Sequence, residues 1–266
     1  MSFYGSSFSF DGVSCEEYGL MLYDFNNTSQ GNSLYAKGMD ISEDRIAGRV
    51  RSVFYGTEYK NPLEFKLVFG VNSEIAESGE DIDRQEMEVI GSWLTGHGSY
   101  KWLVIDQPDM EGIRYHCIIT DLEVLEYAGN KWAFQCSVHC DSPYAYTVPM
   151  TFQYVVDSTL SEVLSSRSSI NQKYMPKITI DLADGGYFSI ENEDTDCKFI
   201  LANVPSVSGL ITLDAENGIL SCESGMNLYK FCNFEWPSLV RGDNHLNFEG
   251  NGVVTFVCEF PVNVGG

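Results

Sequence analysis

Positive charge is scarce in this chain. Its 266 residues hold 16 Lys and Arg against 38 Asp and Glu, a formal net charge of −22 at pH 7. A protein that grips nucleic acid needs basic groups to neutralise phosphates, and one that docks on an anionic leaflet needs a basic patch, so neither is expected as its job. Cut after Val148, the halves carry 10 basic and 23 acidic residues, then 6 and 15, so the acidity is no mere tail. Histidine is scarcer still, at positions 97, 116, 139 and 245 only. No apolar run approaches the roughly 18 residues of a membrane-spanning helix, which predicts no membrane insertion. The opening residues, MSFYGSSFSF, lack a basic n-region and an unbroken apolar stretch, so no secretory signal is expected. There is no G-x-S-x-G elbow, Walker loop or H-E-x-x-H, and the reading is of a non-enzyme with no cofactor.

What is present is core material. Hydrophobic residues make up 44% and charged residues 20%, too apolar for a disordered chain. At about 100–200 residues per domain, the length predicts two. The pattern is mainly β, a β-rich α+β chain. Alternation predicts strands at 64–70, 115–127, 131–140, 177–182, 187–190, 198–201, 209–214, 219–222 and 253–260. Turn residues at 128–130, 184–186 and 216–218 punctuate them, and Gly250-Asn251-Gly252 reads as a further hairpin turn. One segment departs. Met87, Ile90, Trp93 and Leu94 carry a helical spacing over 83–94, with Asp83 and Glu86 as a capping box and Gly96 in a left-handed C-terminal position. The domains are expected at 1–148 and 149–266, the second opening with a loose Ser/Thr-rich stretch through Asn171.

The candidate chemistry reads as structural. The eight cysteines suit a reducing cytosol as small buried hydrophobes. Cys136, His139 and Cys140 resemble part of a zinc site, yet the alternation of Trp132, Phe134, Cys136, Val138 and Cys140 puts His139 on the opposite face. Cys136 and Cys140 also lie about 13 Å apart along a strand. His116 and Cys117 fail in the same way. Glu191, Glu193, Asp194 and Asp196 could hold calcium or form an acid–base pair, but they crowd a turn without calcium-loop spacing, which favours a capped hairpin. Tyr144, Tyr146 and Trp236 could stack on sugars or pack a seam. Gly96-His97-Gly98 lacks the third glycine of a dinucleotide loop. Arg45, Arg49 and Arg51 form a small basic patch near Gly48, either a plain exposed loop or a contact for an acidic surface. No catalytic, cofactor-binding or metal-ligating residues are therefore expected.

Five segments, taken in order, resemble the distal tail protein family of long-tailed, non-contractile bacteriophages. They are Phe10-Asp11-Gly12-Val13 with Tyr18-Gly19-Leu20; the helix ending in Trp93-Leu94, with Tyr100 and the strand 103–106; Cys136 to Cys140-Asp141-Ser142-Pro143-Tyr144-Ala145-Tyr146; Leu213-Asp214 before Asn217-Gly218; and Trp236-Pro237-Ser238-Leu239 with Gly242, Asn244 and Leu246. The resemblance implies a β-sandwich-like N-terminal ring domain with one helix and a β-hairpin arm, and a C-terminal galectin-like β-sandwich. It implies a hexameric hub at the distal end of the virion tail, joining the tail tube protein to tail-tip and receptor-binding proteins, with DNA passing through unbound. The ring interface is expected in the sheet and helix of 60–140. Asn26–Lys37 lacks the Pro- and Arg-rich character the family shows there, so the resemblance does not place the arm. The competing reading is a carbohydrate-binding adhesin for host glycans; a glycosidase using the 191–196 carboxylates is the third.

Overall fold

The computed structural model describes residues 7–23, 40–58, 61–72, 82–108, 110–127, 130–183, 185–206 and 209–264. Asn26–Lys37 lies outside them, as do parts of the expected turns at 128–130 and 184–186. The chain divides into two compact units, Met1–Tyr146 with Asn263–Gly266, and Thr147–Val262. Of the described residues beyond Val262, Val264 packs against the first unit's core.

The first unit holds β1 (Phe8–Phe10), β2 (Val13–Ser14), β3 (Leu20–Leu22), β4 (Asp40–Asp44), β5 (Val53–Glu58), β6 (Glu64–Val71), α1 (Arg84–Thr95), β7 (Lys101–Ile105), β8 (Ile113–Tyr127), β9 (Asn130–Cys140) and β10 (Ala145–Thr147). Its main sheet runs β2-β1-β7-β8-β9-β6-β3, with β10 added to β8. Alternation drives the layering: Leu67 and Phe69 of β6, Leu103 and Ile105 of β7, Tyr115, Cys117 and Ile119 of β8 are all buried. On β9 the expected face holds from Phe134 to Cys140. A register shift between Leu125 and Glu126 of β8 then breaks it, so Ala133 is buried and Trp132 is outside the core. Helix α1 lays Ile90, Trp93 and Leu94 on this core, each worth about 1.5–3 kcal/mol on burial. Its start is a full capping box: Glu86 N–H donates to Asp83 Oδ1 at 2.7 Å, and Asp83 N–H to Glu86 Oε2 at 2.9 Å. Its end differs from expectation. Gly96 has φ −74°, not a left-handed value; glycine is needed because a Cβ there would lie 2.4 Å from the Ser92 carbonyl oxygen.

The second unit holds β11 (Met150–Ser166), β12 (Lys177–Leu182), β13 (Gly186–Asn192), β14 (Cys197–Val204), β15 (Ile211–Asp214), β16 (Ile219–Cys222) and β17 (Gly242–Cys258). The stretch expected to be loose is β11, a 17-residue strand paired along its whole length with the 17-residue β17. Met150, Phe152, Tyr154, Val156, Leu160 and Leu164 do alternate, but polar Ser158 and Glu162 interrupt the apolar face and hid the period. Gly250-Asn251-Gly252 is not a turn either. It lies in mid-strand, where the other edge of β17 changes partner: residues 246–250 pair with β13 and 252–257 with β12. At Gly250 φ is +126° and a Cβ would meet Tyr187 O at 2.5 Å; at Gly252 one would meet Asp181 O at 2.4 Å. Two glycines therefore form the corner at which the sheet forks into branches β13–β14 and β12–β15–β16, which share one hydrophobic core.

Candidate assembly surfaces of the first unit

Most residues singled out from the sequence are occupied structurally. His116 Nδ1 lies 2.6 Å from Asp141, and His139 Nδ1 lies 2.8 Å from Glu64, each on the solvent face of its strand. Cys117, Cys136, Cys140 and Cys258 point into the cores. Burial pushes the Cys136 and Cys258 thiols up to about 12 and Cys117 further, which removes the thiolate a metal or electrophile would need. Among the described residues no group of three or more His, Cys, Asp and Glu converges as a metal site would require.

The 191–196 carboxylates do cap a hairpin. Asp194 accepts the His245 backbone N–H at 2.7 Å and faces His245 Nδ1 at 3.0 Å, and the backbone bond first, then the ring, hold its carboxyl below the ordinary range. Glu191 pairs with Lys198 at 2.9 Å, and this hydrogen bond raises the Lys198 ammonium. Beneath them sits a buried amide pair. Asn244 Oδ1 accepts from Val240 N–H at 2.8 Å and Asn192 Nδ2 at 3.0 Å, while Asn244 Nδ2 donates to Val240 O and Gly242 O, both at 3.0 Å, and Leu164 O at 3.4 Å. The aromatic candidates are also engaged: Trp236 stacks on Phe199, and Tyr146 meets Trp102 edge-on while donating to Ser142 Oγ at 2.8 Å.

Among the described residues of the first unit, two surfaces are not used up internally. One is the hairpin β4–β5, a two-stranded sheet of its own. None of its residues joins either hydrophobic core. It exposes Ile41, Ile46, Val50, Phe54 and Tyr55, with Val50 at 98%. Phe54 and Tyr55 are strand neighbours, so both faces of the ribbon are apolar. Its connecting loop bears Arg45, Arg49 and Arg51, all exposed.

The other is a groove beside α1, about 650 Å³, lined by residues of the N-terminal strands and the helix. Trp93 and Tyr18 form its floor with ring centroids 4.7 Å apart, and Trp93 Nε1 donates to Phe10 O at 3.2 Å. Glu88, Gln85 and Asp11 stand on the rim, Asp11 ion-paired with Lys101 at 2.9 Å. His97 meets Phe10 edge-on at 5.6 Å, and its Nε2 is buried with no hydrogen-bond partner.

Comparison with known proteins identifies the setting of these surfaces. Residues 3–142 match the model of a phage tail protein N-terminal domain, and 144–258 that of a phage tail C-terminal domain. The chain belongs to this phage tail protein family. No curated protein sequence matches the tail protein. Among solved structures, its fold is similar to the Dit (gp 19.1) protein of phage SPP1, described as a paradigm of hub adsorption apparatus in phages infecting Gram-positive bacteria. The TM-score is 0.66 at 13% identity, covering 96% of this chain and 98% of that one. Chains of the phage P2 baseplate in its activated conformation align more loosely. With Ca the TM-score is 0.47 at 10% identity over 90% of both chains; with Sr it is 0.45 at 10% identity, over 89% of this chain and 92% of that one.

Of the tail protein's two open surfaces, the sequence marked the arginines as a candidate contact and the helix as part of the expected ring interface. The run Val53-Phe54-Tyr55 was the available signal for the ribbon, but a short apolar run with no core behind it looks like any buried strand. The groove joins Asp11 and Tyr18 to Glu88 and His97, a juxtaposition that only the fold creates.

Proposed function

We propose that this tail protein is a hub. Six copies close a ring that joins the tail tube to the tail-tip and receptor-binding proteins and leaves a channel for DNA. The observation that carries this reading is the β4–β5 ribbon: a two-stranded sheet alone is marginal in water, so an apolar one outside both cores calls for a partner. A cyclic ring supplies that partner through a heterologous interface, one patch on each copy meeting a different patch on the next. The second unit serves as a peripheral galectin-like sandwich. Six copies at −22 sum to about −130, and carboxylates facing the channel repel phosphates so that DNA passes without adhering.

Light scattering and negative-stain imaging of the purified full chain test the reading. The expected species is a ring of about 180 kDa, six times the 29.8 kDa chain. Monomers alone across a broad concentration range would overturn it, and a neutral or basic lumen would overturn the charge argument. No observation favours the adhesin reading, since Trp236 and Tyr146 are engaged within their own units.

A further inference from the structure

We propose that Cys117 and Cys140 are a latent cross-strand disulfide of the first unit, kept as thiols during assembly in a reducing cytosol and closed by a diffusible disulfide, such as glutathione disulfide, once the virion is outside the cell. Cys117 of β8 and Cys140 of β9 are direct register partners, in a stretch where 117–119 pair with 138–140 without a shift. Beyond them Asp141 N–H donates to His116 O at 2.9 Å, whereas Cys140 N–H points the other way, to Leu63 O at 2.9 Å. Cys117 and Cys140 are therefore a non-hydrogen-bonded pair, whose Cα atoms lie about 4.5 Å apart with the side chains at their closest. That falls within the roughly 4.4–6.8 Å a disulfide spans. Both are reduced in this structure, and both side chains are buried on the core face at 0% exposure. No other two cysteines face each other in the described strand registers. Cys136 stands opposite Leu122 and Leu67, Cys258 opposite Met150, Cys222 opposite Ile211 and Cys197 opposite Asn192.

Burial raises the Cys117 thiol, so closure waits on local opening of the ladder. Once open, one cysteine loses its proton to water and its thiolate attacks a sulfur of glutathione disulfide. That S–S bond breaks and one glutathione thiolate leaves. The second cysteine, likewise deprotonated, attacks the cysteine sulfur of the mixed disulfide and releases the second glutathione thiolate. Two cysteine thiols are oxidised, one disulfide is reduced to two thiols, and the two protons end on the glutathione. The bond would pin the end of β9, shortly before the chain enters the second unit at Thr147.

The test incubates the reduced full chain with glutathione disulfide, in plain buffer and in guanidinium chloride below the onset of unfolding. Remaining thiols are then blocked with maleimide, and linked peptides are mapped by mass spectrometry. A 117–140 link is expected, forming faster in the denaturant because opening limits it. The linked protein is expected to melt higher than the reduced one, by on the order of 5–10 °C. Cys117→Ala, with an unchanged circular dichroism spectrum, is expected to lose both the link and the gain. Both thiols still blocked by maleimide after both incubations, Cys117 linked to Cys136 instead, or a linked protein that melts no higher than the reduced one would each overturn the proposal.

Discussion

Replacing Asn244 by Ala tests whether the buried amide network holds the second unit together. Asn244 is fully buried, and its amide makes five hydrogen bonds, to Val240 twice and to Asn192, Gly242 and Leu164. Asn192 keeps a second acceptor, Ser238 O at 2.7 Å, so its loss is partial. The Val240 N–H loses its side-chain acceptor, and an unsatisfied buried donor costs about 1–3 kcal/mol. With the weakened carbonyl contacts and the small cavity, the total is about 3–5 kcal/mol. That is a large share of the roughly 5–15 kcal/mol by which a domain is stable. For a unit of this size it corresponds to a fall of about 10–20 °C in Tm. Calorimetry of the full chain reads the shift, and deuterium exchange in β11, β13 and β17 assigns it to the second unit. Asn244→Leu refills the volume without restoring the bonds and is expected to remain about 2 kcal/mol or more below wild type. A shift under about 3 °C for Ala, or full recovery with Leu, would refute the reasoning.

Two further predictions concern the same unit. Gly252→Ala places a Cβ 2.4 Å from Asp181 O at the β17 corner, so a loss of about 1–3 kcal/mol is expected in urea titration; an unchanged midpoint would mean the corner needs no glycine. Asp194 has its carboxyl lowered from the ordinary 3.8, chiefly by the His245 backbone N–H. Its contribution is therefore complete above the ordinary value and is lost as pH falls through the lowered one. The Tm advantage of wild type over Asp194→Asn is expected to hold down to about pH 5 and to shrink as pH falls further, and a constant difference down to about pH 2 would refute the assignment.

Much of this architecture is written locally. The Asp83–Glu86 box, the core faces of β6 and of β9 from Phe134 onward, and the hairpin at 191–197 follow from neighbours in sequence, where period and capping chemistry act. What escaped depends on distant partners. Gly250 and Gly252 look like a turn until it is known that β13 ends and β12 begins opposite them. The Ser/Thr-rich run 150–166 reads as loose because most of its polar residues face solvent, and only the companion strand 242–258 makes it a strand. Trp132 left its expected face as the extra residue of a bulge in β9, where Leu125 and Glu126 of β8 face Ala133 and Lys131. The ribbon 40–58 failed for the opposite reason: alternation tells apart two faces only when one of them is buried, and here neither is.

The return of Asn263–Gly266 to the first unit has a mechanical consequence. The second unit is an insertion, entered at Thr147 and left at Val262, and its two ends are neighbours: Thr147 N–H donates to Phe260 O at 3.0 Å, and Met150 pairs with Cys258. The second unit is therefore held by two covalent links that enter and leave at one end of the β11–β17 ladder. A module anchored in this way can also be exchanged for another of different surface without the first unit's chain having to find a new path.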